Sequence, residues 1–323
     1  MSCTISQKRL KEIMAFWLEH GDAETCLNYD ITPETLSRYK RKAKNKFEFI
    51  DTDKISLLDK IASQYSKKEL QAIAEGGRII PGLKKVPIVN FDGDEFTFGL
   101  ISDTHIGSVY YPEEYLTAAL NECEDQSCQF IAHCGDVTEG MSRREGHIYE
   151  LTHLGYERQK EYAVDQLSQW DGQWYFISGN HDRWYLKSNG ANVVQDIADA
   201  LPEAEFLGHD NGDIPVRLKG NSIVIRLWHG EDGNSYAISY RIQKVVESIP
   251  GGEKPNILCL GHVHKAAFLP LRNIHCFGAG SIQKQSAWMK AKRIEAHVCF
   301  WIITVWINHM GVAKVHQRYE PFY

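Results

Sequence analysis

The run Phe96-Thr97-Phe98-Gly99-Leu100-Ile101-Ser102-Asp103-Thr104-His105 decides the fold. Its apolar first half reads as a strand, and it ends in a carboxylate and an imidazole two residues apart. Four further apolar runs, at 130–134, 174–177, 223–228 and 257–260, each stop at a polar cluster. Helical patterns separate them, so strand and helix alternate, which predicts an α/β layered fold. In such folds ligands gather at the carboxyl ends of the strands.

The later clusters are Gly135-Asp136-Val137-Thr138-Glu139-Gly140, Gly179-Asn180-His181-Asp182, Trp228-His229-Gly230 and Gly261-His262-Val263-His264. Singly they are ordinary, because a strand-terminal Asp often caps a helix and Gly-Asp or Gly-His pairs make turns. Together they deliver Asp, His, Asp, Asn and three more His to successive strand ends, a mixed nitrogen and oxygen set suited to borderline divalent metals.

The order D-x-H, G-D, G-N-H-D, H, G-H-x-H resembles the calcineurin-like metallophosphoesterases over roughly residues 95–308. The resemblance implies a two-sheet metallophosphoesterase sandwich flanked by helices. It implies two divalent metal ions, manganese first, with iron, zinc or magnesium as alternatives. Asp103, His105 and His264 would hold one ion, Asn180, His229 and His262 the other, and Asp136 would bridge them. His181 would face the substrate as general acid, with Asp182 orienting it or its loop. The physics agrees with that assignment. Two cations about 3.5–4 Å apart bind a phosphoryl group and acidify a shared water, giving metal-activated hydroxide attack. An imidazole titrating near neutrality can then protonate the leaving oxygen.

Protein Ser/Thr phosphatases carry aspartate and arginine after the second motif and glutamate after the third histidine. Here Glu139-Gly140 and Asp182 stand in those places, so the pattern is more similar to phosphodiesterases and SbcD-like repair nucleases. Two segments leave ligand-bearing strand ends: 141–159, with an otherwise helical pattern and Arg143, Arg144, His147 and His153, and 236–244, with Tyr240, Arg241, Gln243 and Lys244. Arg143, Arg144, Arg241 and Lys244 are candidate phosphate clamps; the bland alternative is that they pair with nearby carboxylates. The stretch from Gly278 through Ser281-Ile282-Gln283 to Lys292-Arg293 resembles phage-encoded phosphoesterases with an N-terminal helix-turn-helix.

The front of the chain differs in character. Residues 1–90 hold 16 Lys and Arg against 12 Asp and Glu, a net +4, while the remainder of the overall −6 leaves −10 on residues 91–323. Leu10, Ile13, Met14, Trp17 and Leu18 recur at helical spacing until Gly21, and Asp22 can cap a short second helix. Thr32-Pro33-Glu34 signals the start of a third, from Pro33 to about Asn45. Arg38, Arg41 and Lys42 lie off its apolar face. A small all-α helix-turn-helix domain is therefore predicted over 1–48, with these three residues as DNA contacts. A helical linker follows over 49–92, from the patterns at 54–65 and 67–75, and the metallophosphoesterase domain spans 93–323.

Eight cysteines include no C-x-x-C pair, so no cysteine zinc site is expected. No signal peptide is evident, and the most apolar stretch, 298–307, is too short for a bilayer and reads as a buried strand. The expected location is cytoplasmic, in host cytoplasm if phage-encoded. The leading reading is a dinuclear-metal phosphodiesterase acting on nucleic acid, a DNA nuclease. The runner-up is a cyclic-nucleotide or nucleotide phosphodiesterase, which the acidic catalytic half favours. A DNA-binding regulator with a vestigial metal centre is a third reading, against which the intact ligand set speaks.

Overall fold

The computed structural model describes residues 7–44, 88–231, 233 and 237–323. The helical patterns at 54–65 and 67–75 lie outside them. The chain divides into two compact units, residues 1–83 and 84–323.

In the first unit, α1 (Gln7–Tyr29) breaks at Gly21, whose φ of 78° interrupts the helix where the sequence pattern ends. α2 spans Pro33–Lys44. Leu10, Ile13, Met14 and Leu36 form its small core with Trp17, Tyr29 and Tyr39 at the margin. Thr32 caps α2, accepting the Thr35 amide at 3.2 Å. Asp22 does not serve as the expected cap: its carboxylate accepts from Trp17 Nε1 and Lys40 Nζ, both at 2.5 Å. Two side-chain donors outcompete the backbone there. Arg38 is exposed, while the side chains of Arg41 and Lys42 lie outside what is described.

The second unit is a sandwich of two six-stranded mixed sheets. One sheet contains β2 (Glu95–Ile101), β3 (Phe130–His133), β4 (Gln173–Ser178) and β5 (Ala204–His209) in parallel. β11 (Cys299–Asn308) joins β2 antiparallel, and β12 (Gly311–Pro321) closes that edge. The other sheet has β7 (Asn221–Trp228), β8 (Ile257–Leu260) and β10 (Ile274–Ala279) in parallel. β6 (Asn211–Leu218) and β9 (Ala266–Leu271) flank them antiparallel. All five apolar runs read from the sequence are strands. Residues 298–307 match β11. Residues 89–91, placed in the linker on sequence grounds, are instead an edge strand, β1 (Val89–Phe91), paired with β6.

Alternation explains the layering. Phe96, Phe98 and Leu100 of β2 point between the sheets with Phe130, Ile225, Phe277 and Ile303. Phe98 and Phe130 stack there at 5.0 Å. Ile101, Ile131 and Phe176 face outward, covered by α3 (Glu113–Asp125), α4 (Tyr156–Leu167) and α6 (Val193–Ala200). α5 (Arg183–Asn189) lies between α4 and α6 in the chain. α7 (Ile238–Ser248) covers the second sheet through Ile242, Val245 and Val246. The helical pattern expected over 141–159 is mostly irregular: Gly146 and Gly155 adopt positive φ, and α4 begins only at Tyr156. No described helix is long and apolar enough to cross a membrane.

Candidate metal centre

Every predicted ligand lies just beyond the carboxyl end of a strand: Asp103 and His105 after β2, Asp136 after β3, Asn180 after β4, His229 after β7, and His262 and His264 after β8. The backbone is bent to bring them together. Of twelve described non-glycine residues with positive φ, five are Asp103, His105, Asp136, His262 and His264. Each such residue costs about 1–2 kcal/mol, so their concentration here marks a site whose geometry is imposed by its surroundings.

Four groups of candidate ligands have their atoms mutually within 4.8 Å among the described residues: Asp103 with His105 and His264, Asp136 with His229 and His262, His105 with Asp136 and His181, and Glu139 with His147 and Glu150. The first two contain the expected ligands. Asp136 joins them. Its Oδ1 accepts the His181 amide at 2.8 Å, which leaves Oδ2 at 3.1 Å from His229 Nε2 and 3.8 Å from His105 Nε2. Asn180 Oδ1 lies 3.2 Å from His229 Nε2. Asp103 Oδ1 sits 3.1 Å from His264 Nε2, and Ser102 donates to Oδ2 at 2.5 Å. His229 donates Nδ1–H to the Cys134 carbonyl at 2.7 Å, which orients the ring and turns Nε2 inward. Gly179 makes the approach possible, since a Cβ there would lie 2.2 Å from Asp136 Oδ1.

The residues fit divalent cations. His105 Nε2 is buried without a hydrogen-bond partner, yet faces Asp103 Oδ1 at 3.9 Å and Asp136 Oδ2 at 3.8 Å. A buried nitrogen aimed between two carboxylates is satisfied by a cation. Protons take that part in the bare chain. Burial pulls the His229 imidazolium down, but the Asp136 carboxylate more than offsets it and pushes the pKa up to about 10. Burial likewise opposes charge on His105, and Glu139 with Asp136 raises it to about 9. His262, where burial and His229 act together, falls to about 4.

His181 is only partly buried beside this centre. Its Nδ1 donates to the Glu139 carbonyl at 2.9 Å, a bond that directs Nε2 away from the backbone. Trp184 packs against the ring at 4.0 Å. Asp182 does not touch the imidazole. Its carboxylate accepts from the amides of Gly179, Val137 and Thr138 and from the Thr138 hydroxyl, at 2.8–3.1 Å, tying the β3 and β4 loops together.

The proposed phosphate clamps separate. Arg144 lines the cleft over the centre and pairs with Glu150 at 2.5 Å. Arg143 is exposed and does not line it. Arg241 is buried on the inner side of α7, and Lys244 lies exposed on α7 with its ammonium 5.7 Å from the Tyr240 ring. Neither borders the cleft.

Glu139 is the residue that sequence reasoning undervalued. It is buried, 3.0 Å from His105 Nδ1 and 2.9 Å from His147 Nε2, and it accepts from Gln283 Nε2 at 3.0 Å. His133 is a second such case. Its Nδ1 accepts the Gly135 amide, so Nε2 donates to Thr104, linking the β2 and β3 loops.

A family model for calcineurin-like phosphoesterases matches residues 96–266. The chain belongs to this family. Its members are metal-dependent, in keeping with the two Asp/His groups. The small subunit of DNA polymerase II from Methanothermobacter thermautotrophicus is 20% identical over 284 residues, covering 73% of this chain and 57% of that protein. The chain thus spans little more than half the length of that curated relative. Among solved structures, an archaeal phosphodiesterase is 14% identical with a TM-score of 0.40, covering 69% of this chain and 99% of its own. A phosphoesterase from E. coli is 17% identical with a TM-score of 0.39, covering 68% and 98%.

Proposed function

We propose that this calcineurin-like phosphoesterase hydrolyses phosphodiester bonds of nucleic acid, DNA first, using two divalent cations with manganese as the working metal. The observation that carries the reading is the pair of Asp/His groups joined through Asp136 Oδ2. Bound there, the cations supply positive charge that acidifies water and offsets charge on the phosphoryl oxygens. Asp103, His105 and His264 would hold one, Asn180, His229 and His262 the other, with Asp136 placed to serve both. His181 would act as the acid: Nδ1–H stays on the Glu139 carbonyl and, when the ring takes up a second proton, Nε2–H goes to the departing oxygen. Burial holds its pKa below the ordinary imidazole value, so that proton is readily given up. The Asp182 clamp keeps the Asn180 and His181 loop in register with Asp136. The nucleic-acid assignment is supported by the G-N-H-D and G-H-x-H pattern and by the basic residues Arg38, Arg41 and Lys42 on α2, which we assign to delivering DNA.

Two observations favour a small nucleotide as the second reading: net −10 over residues 91–323 and a cleft of only about 440 Å³. One panel with Mn²⁺ separates the two. Turnover of single- and double-stranded DNA, RNA, cyclic nucleotides and a small phosphodiester is compared, then repeated with Fe²⁺, Zn²⁺ and Mg²⁺. Preference for cyclic nucleotides with no cleavage of polynucleotide rejects the nuclease assignment. In the same assay Arg38→Glu, Arg41→Glu and Lys42→Glu together raise KM for duplex DNA several-fold. An unchanged KM removes the delivery role of α2.

A further inference from the structure

The cleft over the metal centre has a second wall that takes no part in the chemistry described so far. It is formed by the segment around α8 (Ala287–Ala291), which contributes Trp288, Met289 and Ile294, with Tyr110 beside them. Met289 is buried and anchors the wall, whereas Trp288 is 46% exposed, an uncommon state for so large an apolar ring. Directly after it come Lys290, Lys292 and Arg293, all exposed and without an ion-pair partner among the described residues. Three other cations near the cleft are neutralised, Arg144 by Glu150, Lys265 by Glu295 and Lys284 by Glu114. The exposed Arg143, like Lys290, Lys292 and Arg293, has no ion pair among the described residues, but it is not on the segment that forms the apolar wall. In a domain carrying net −10 over residues 91–323, three adjacent unpaired cations next to an exposed indole stand apart.

We propose, resting on the nucleic-acid reading above, that the α8 segment is the strand-binding element of the catalytic unit. Trp288 stacks on the base next to the phosphate being cleaved, and Lys290, Lys292 and Arg293 hold the phosphates that lead out of the cleft. Every base offers a face to an indole, so this wall grips without reading sequence. The cations supply what the acidic surroundings lack. The cleft volume of about 440 Å³ lies near the lower end of small-molecule sites. It takes one nucleotide with its base turned out. The substrate is therefore a single strand, and a duplex must first give up a base from its stack.

The test uses the full chain with Mn²⁺ and two substrates, a fluorescein-labelled single-stranded oligonucleotide and a small phosphodiester that carries no base. Trp288→Ala lowers the ratio of the two kcat/KM values about tenfold, and Trp288→Phe restores most of it. Damage that is merely general moves both substrates together and leaves the ratio alone. Replacing Lys290, Lys292 and Arg293 together with Ala reduces the slope of log Kd against log salt for the oligonucleotide by about two, as the loss of three single-strand phosphate contacts requires. Should wild type cleave the oligonucleotide while both variants keep its ratio and slope, the α8 assignment is overturned and the nuclease reading stands. Trp288-dependent binding without cleavage supports the assignment and overturns the nuclease reading. Wild type that neither binds nor cleaves single strands overturns the α8 assignment, and overturns the nuclease reading too if duplex DNA and RNA are also left intact.

Discussion

Asp136 Oδ2 lies between the two candidate ligand groups, and His181 is proposed as the acid; variants of the two residues therefore test metal loading and proton delivery separately. Asp136→Ala is expected to lose metal and turnover together, since each group loses its shared oxygen. His181→Ala keeps its metal and loses about 10²–10⁴ in kcat on a substrate with a poor leaving group, the usual contribution of a positioned acid. Metal content by plasma emission, read beside turnover, distinguishes them. An Asp136→Ala protein with wild-type turnover would sink the assigned centre. Glu139 makes a finer case. Its carboxylate serves His105, His147 and Gln283 at once, so Glu139→Ala strips the proposed ligand His105 of its outer partner. Changes of this kind typically cost 10–100-fold in metal affinity. A competitive chelator titration should find a loss of that size, and equal affinity would reduce Glu139 to a space-filling role.

The strands set the ligands close, but the loops that follow them need their own restraint, and Asp182 supplies it. Four donors from the β3 and β4 loops meet its buried carboxylate. Removing it leaves three buried amides and a hydroxyl without an acceptor, at about 1–3 kcal/mol each when unrelieved. Asp182→Ala should lower unfolding free energy by at least about 3 kcal/mol in urea, and Asp182→Asn, which keeps one acceptor oxygen, by less. Equal stability of the two would mean that water replaces the clamp. The sequence made the strands and the candidate ligands at their ends legible because each cluster is a local signal, an apolar run ending in Asp, His or Asn. The Thr32-Pro33 start of α2 was legible for the same reason. Glu139 was not, because its partners stand at 105, 147 and 283 and meet only when three loops fold together. The helix expected before Tyr156 failed for a local reason too weakly weighted, the glycines at 146 and 155 with positive φ. Arg241 went astray because a basic residue near a strand end reads as exposed until the face of its helix is known.

At the scale of the whole molecule the centre is a concentration of buried negative charge. Asp103, Asp136 and Glu139 are all nearly inaccessible, within a region that is net −10 over residues 91–323. Without cations, protonated histidines balance these carboxylates, and burial opposes every one of those charges. Divalent ions held by the same carboxylates and histidines would offset that charge in place of the protons, so metal binding to the folded chain would stabilise it by mass action. At free metal one hundred times the dissociation constant the gain is about 2.7 kcal/mol. For a unit of this size each kcal/mol moves Tm by about 2–4 °C. Mn²⁺ should therefore raise Tm by about 5–10 °C over protein stripped with a chelator, measured by calorimetry at constant pH. Asp136→Ala should lose most of that increment, because binding at both positions depends on its oxygen. A Tm indifferent to metal in the wild-type chain would show that the five candidate ligands at positive φ are kept in place by the loops alone.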